Sequence, residues 1–138
     1  MESKSTVSEV MHKGVLMLKK SETVLSSAKF LKEHNIGAIG VSDENDNLIG
    51  MFSERDVLNR VVAMELDPSA TSLDSVMTKE VITVPETQSV DEALVLMNDN
   101  KIRHLPVVDK NGKLVGMLGL RDLMQFVMDR AINDFLNS

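Results

Sequence analysis

Apolar and polar positions along this chain fall into a block order that occurs twice. A β-rich apolar run, Val15-Leu16-Met17-Leu18, precedes a set at helical spacing, Val24, Leu25, Ala28 and Leu31. Two short apolar runs follow, Ala38 to Val41 and Leu48 to Phe52, separated by the acidic turn Asp43-Glu44-Asn45-Asp46-Asn47. The second block begins with Val81-Ile82-Thr83-Val84, then Val90, Ala93, Leu94 and Met97 at helical spacing. Ser89 stands three residues before Glu92, the spacing of a capping box, so a helix is predicted to start there. Leu105 to Val108 and Leu114 to Leu118 flank Asp109-Lys110-Asn111-Gly112, and an Asn-Gly step between apolar runs predicts a hairpin. Each block closes with a helix, from Ser53 in the first and from Gly119 in the second. The last carries Leu120, Leu123, Met124, Val127, Met128, Ala131 and Phe135 on one stripe. The predicted order is β-α-β-β-α, twice.

The two blocks are copies. Gly50-Met51-Phe52-Ser53-Glu54-Arg55-Asp56 returns 66 residues on, from Gly50 to Gly116, as Gly116-Met117-Leu118-Gly119-Leu120-Arg121-Asp122. Val10-Met11 matches Val76-Met77 in the same register, as do Val24 and Val90, Ile36 and Ile102, Val41 and Val107, Asp43 and Asp109, and Leu48 and Leu114. No gap is needed from Val7 to Asn59. Solenoids need three or more units to bury a continuous core, so two copies read better as paired half-domains. The expected organisation is a first domain over 7–64, a linker over 65–72 containing Pro68, and a second domain over 73–135. A half of this size has a marginal core, so the two are expected to share one. Met124 and Met128 are read as packing side chains rather than a partner groove.

Composition narrows the function classes. The 138 residues carry a net charge of −6, which disfavours nucleic acid as the main partner because a binding face must neutralise phosphates. Without cysteine there is no disulfide, thiolate metal site or cysteine nucleophile. Met1 to Thr6 is polar and lacks the apolar core of a secretion signal, and no apolar run approaches a membrane span. A cytoplasmic protein with no membrane partner is expected.

Chemistry is concentrated at the repeated motif. Ser53 and Asp56 sit where a strand gives way to a helix, whose unpaired N–H groups and partial positive charge suit a phosphate. The Ser53 hydroxyl can bond a phosphate oxygen, and the two oxygens of Asp56 can accept both hydroxyls of a ribose. The same Ser-x-x-Asp spacing also makes a capping box, which needs no ligand. Copy two keeps Asp122 but has Gly119 in place of the serine. Arg103 and His104 offer cationic and hydrogen-bonding groups to phosphates, or else a surface arginine and a partly buried histidine. Their counterparts Gly37 and Ala38 are small enough to leave room for a flat ring. His12, His34 and His104 have no metal-ligand spacing, the Asp43 turn lacks the calcium-loop pattern, and no acid, base and nucleophile set assembles.

Taken together, the paired Val-Met steps, Ile36-Gly37-Ala38-Ile39, Ile102-Arg103-His104-Leu105-Pro106-Val107-Val108-Asp109 and the two Gly-x-x-x-x-Arg-Asp segments resemble a tandem pair of cystathionine-β-synthase (CBS) domains, a Bateman module of the stand-alone class. The resemblance implies an α+β (α/β) fold of two β-α-β-β-α repeats packed about a pseudo-two-fold axis, with clefts between them for AMP, ADP or ATP, or for NAD(H) or S-adenosylmethionine. It implies a non-catalytic regulatory role, no metal, a homodimer formed through the helices that follow the hairpins, and an unidentified regulated protein. By the same resemblance Ser53 would contact phosphate and Asp56 and Asp122 ribose. Arg103, His104, Arg55 and Arg121 would reach phosphates, Thr83 would line the base pocket, and Gly37 and Ala38 would form its wall. A ligand-free adaptor is the alternative.

Overall fold

The alternating runs form two three-stranded sheets with the same topology. The structure is a computed structural model describing residues 5–138. Of the polar run Met1 to Thr6, residues 1–4 lie outside the described residues. In the first sheet β1 (Met17–Lys19) runs parallel to β2 (Ala38–Ser42), which pairs antiparallel with β3 (Leu48–Ser53). In the second, β4 (Val84–Pro85) runs parallel to β5 (His104–Val108), which pairs antiparallel with β6 (Leu114–Gly119). Each hairpin shifts register at an equivalent step, Val41/Ser42 and Val107/Val108. Its turn is held by an aspartate side chain. Asp43 Oδ1 accepts from the N–H of Asn45 and Asn47, and Asp109 Oδ1 from Asn111 and Lys113. These donors hold the Asp43 carboxyl below its ordinary range, the Asn47 backbone N–H foremost.

The parallel edge strands begin later than the apolar runs suggest. Val15 and Leu16 precede β1 and Val81 to Thr83 precede β4, because only the distal ends of β2 and β5 offer paired positions, Gly40 to Ser42 and Val107 to Val108. Val15 is left 59% exposed.

The helix before each hairpin starts on a capping side chain, Ser89 as its spacing predicts and Thr23 in addition. In α1 (Val24–His34) Thr23 accepts from the Ser26 N–H, and in α4 (Val90–Asn100) Ser89 accepts from the Glu92 N–H. Both helices end on a left-handed residue, Asn35 and Lys101, after which Ile36 and Ile102 bond back to Leu31 and Met97. The buried face of α1 is Val24, Ser27 and Leu31, and the expected Leu25 is instead exposed. Ser27 is buried at no cost in satisfaction, because its hydroxyl donates to the Thr23 carbonyl at 2.8 Å.

The helices after the two hairpins differ. In copy one the short α2 (Glu54–Asp56) runs on as a π-helix, Val57–Val62, in which the Ala63 N–H reaches the Leu58 carbonyl. In copy two α5 (Leu120–Leu136) is one regular helix. Its stripe is mostly not core: Leu123 is fully buried, but Met124 is 55% and Met128 59% exposed, against their reading as packing residues.

The shared core also gives way to a different arrangement. Two separate buried clusters exist. One centres on Val24, Ile39, Val41, Phe52 and Val61, the other on Val84, Val90, Met97, Leu105, Leu118 and Leu123. Each compact unit takes the leading segment of the opposite repeat. Among the described residues, 5–14 group with Ile82–Ser138, while Val15–Val81 form the other unit. Val7, Val10 and Met11 therefore complete the core of copy two, and Leu73, Val76 and Met77 that of copy one. The donated residues come on short turns, Val7–Glu9 and α3 (Leu73–Val76). Backbone bonds between His12 and Met117 and between Met51 and Thr78 anchor them. This exchange supplies the apolar area that a half of this size lacks. It also explains the glycine opening each repeated motif. A Cβ on Gly50 would lie 2.5 Å from Met77 Sδ and 3.0 Å from the Thr78 carbonyl, and one on Gly116 would meet Met11.

Candidate functional site

In copy one the strand-to-helix junction is a closed hydrogen-bonded knot. Ser53 ends β3 in extended backbone and caps α2. Its N–H donates to Asp56 Oδ2 at 2.9 Å, its hydroxyl reaches the same oxygen at 3.2 Å, and Oγ accepts from the Asp56 N–H at 3.3 Å. The other carboxylate oxygen, Oδ1, accepts from the Thr78 hydroxyl at 3.3 Å and lies 3.5 Å from Arg60 Nε. Arg60 Nη1 also donates to the carbonyls of Met77 at 3.0 Å and Val76 at 3.4 Å. Asp56 is thus buried with both oxygens engaged. The pairing Ala38 with Ser53, and the bond from the Glu54 N–H to the Gly37 carbonyl, bring the small residues to the same end of the sheet. Arg55 is exposed there.

Copy two reaches the same place with different groups. Gly119 ends β6 opposite His104, and the Leu120 N–H donates to the Arg103 carbonyl at 2.8 Å. Gly119 caps α5 without a side chain. Asp122 Oδ2 accepts from His12 Nε2 at 2.6 Å, and the two side chains are 47% and 62% exposed. Phe126 stands where copy one has Arg60 and packs against the apolar cluster. Arg103 and Arg121 are exposed and His104 is half-buried.

The candidate residues thus gather in two places, Gly37, Ala38, Ser53, Arg55 and Asp56 in one unit, Arg103, His104, Arg121 and Asp122 in the other. Thr83 stands apart from these bonds, exposed just ahead of β4. Sequence reasoning missed Thr78 and Arg60 and left His12 without a role. The repeat register held the signal, since His12 and Thr78 occupy equivalent positions directly after the Val-Met steps and each touches the motif aspartate. Among the described residues, no three His, Asp or Glu side chains are arranged to hold a metal ion, and no helix is long and apolar enough to cross a membrane.

The CBS domain model matches residues 7–63 and 73–129, both copies of this arrangement. The chain belongs to the CBS domain family. Among its relatives is an uncharacterized protein of Methanopyrus kandleri, 38% identical over 120 residues, which are 87% of this chain and 61% of that protein. The chain thus spans less than two thirds of that relative's length. Hypoxic response protein 1 of Mycobacterium tuberculosis is 28% identical over 97% of this chain and 93% of its own. Its structure, solved with two coordinated zinc ions, superposes with a TM-score of 0.76, covering 88% of this chain and 98% of that one. A CBS-domain protein from Burkholderia ambifaria gives a TM-score of 0.85 at 33% identity, covering 91% of this chain and 95% of that chain. A CBS domain pair solved in complex with 5′-methylthioadenosine and S-adenosyl-L-methionine gives 0.80 at 25% identity, covering 89% and 99%.

Proposed function

We propose that this CBS pair is a regulatory module without catalytic activity that binds an adenosine-containing ligand and passes its bound state to a partner protein. AMP, ADP and ATP are the first candidates, with S-adenosylmethionine, methylthioadenosine and NAD(H) next. The observation that carries the reading is the recurrence, at the same end of both hairpins, of a helix-start aspartate beside exposed arginine. A carboxylate accepts a ribose diol and guanidinium groups take phosphate. The related pair crystallised with two adenosine compounds supports the same ligand class. In this reading Asp56 and Asp122 hold ribose, and Ser53, Arg55, Arg103, His104 and Arg121 reach phosphate. Gly37, Ala38 and Thr83 shape the base pocket.

Thermal unfolding with each compound tests it. A ligand at a hundred times its dissociation constant stabilises by about 2.7 kcal/mol. No shift with any of them would sink the proposal. That result would favour the adaptor reading, which has its own support: every acceptor of Asp56 is already met by the chain's own donors.

We also propose a homodimer. The helix after Ser53 exposes Leu58 and Val62, and α5 exposes Met124, Met128 and Ile132, apolar area suited to a second copy. Sedimentation equilibrium should give twice the chain mass, and Met128→Glu should shift it toward the monomer.

A further inference from the structure

We propose that His12 is a latch on Asp122, competing with the ligand's hydroxyls for that carboxylate and so setting the affinity of the second site. The idea rests on the adenosine reading and adds its regulation. His12 is placed by the exchange of leading segments. Its N–H donates to the Met117 carbonyl at 2.8 Å, its own carbonyl accepts from the Met117 N–H at 3.0 Å, and Met11 beside it packs against the core. The backbone is therefore fixed while the ring is exposed and free to turn away. In the observed position Nε2 takes Asp122 Oδ2 at 2.6 Å. A vicinal diol uses both oxygens of a carboxylate, so ring and diol exclude each other at Oδ2.

The latch is specific to this unit. At Asp56 three side chains share the carboxylate, Ser53, Thr78 and Arg60, and removing one leaves the others in place. The equivalents of Ser53 and Arg60 are Gly119 and Phe126, which bring no side-chain donor. Among the described residues His12 is the one side chain hydrogen-bonded to Asp122, so a single substitution should open it.

Titration calorimetry of the full chain with AMP and with 5′-methylthioadenosine tests the idea. The exposed pair is worth at most about 1 kcal/mol, so His12→Ala should tighten binding about threefold and by no more than about fivefold. His12→Gln keeps a donor and should stay near the wild type. Asp122→Asn combined with His12→Ala should lose the gain. Unchanged or weaker binding by a folded His12→Ala protein overturns the latch while leaving the adenosine reading intact. If neither the wild type nor His12→Ala binds either compound, both fall together. As a second readout, the His12 ring resonances should move on adding AMP to the wild type. A ring whose signals stay fixed at saturation refutes the release.

Discussion

Asp56 and Asp122 occupy the same position in two copies of one motif, yet they stand in opposite conditions. Asp56 is buried and both its oxygens are engaged by Ser53, Thr78 and Arg60. Asp122 is half-exposed and meets His12. Three substitutions in the repeat account for the difference: serine to glycine at the cap, arginine to phenylalanine one turn on, and threonine to histidine on the crossing segment. Carboxylate position is conserved between the copies, while carboxylate availability is not. A motif match reports the first and is silent on the second.

The comparison can be broken most directly by deleting the carboxylates. Asp56→Ala leaves the Ser53 N–H and the Thr78 hydroxyl without their acceptor and takes the carboxylate from Arg60 Nε, and should cost about 3 kcal/mol in urea unfolding. Asp122→Ala should cost under about 1 kcal/mol, because its pair is exposed. Equal losses would mean that the two junctions are structurally alike.

Smaller effects test the crossing segments. Gly50→Ala and Gly116→Ala each crowd a methionine donated by the other repeat, with an expected cost of about 2 kcal/mol. Gly50 should be the worse site, because the Thr78 carbonyl adds a backbone obstacle to the flexible Met77 side chain. A thermal scan in which the order is reversed would place the rigid contact elsewhere. The smallest change is a gain. Gly119→Ser restores a capping hydroxyl at α5, worth a few tenths of a kcal/mol. It should also draw Asp122 from His12 toward the cap, visible as a shift of the His12 ring resonances.

The hairpins and helices were legible because their causes are local. Alternation, the Asp-led turns and the Ser89 cap act within a few residues, and the structure has them where the pattern places them; the Thr23 cap is equally local but was not read from the sequence. The edge strands β1 and β4 were less so, since their extent depends on which residues of β2 and β5 they meet. Leu25 and Ser27 exchanged roles because an exact helix phase decides which neighbour faces the core. The site was legible in outline, through Ser53, Asp56 and Asp122. Its state was not, because Thr78 and His12 reach the aspartates from 22 and 110 residues away along the chain.

By itself the sequence determined the duplication, the β-α-β-β-α order, the family, and the asymmetry of Ser53 against Gly119. Only the tertiary structure decided that each leading segment completes the opposite repeat's core, and therefore that Asp56 is sealed by Thr78 while Asp122 is met by His12. An equivalence of 66 residues states which positions correspond; it does not state which copy a segment will pack on. Because both repeats carry a Val-Met step and a motif glycine, the residue types alone would suit either pairing. The choice between them rests on chain path and the sum of distant contacts, quantities that no local window contains.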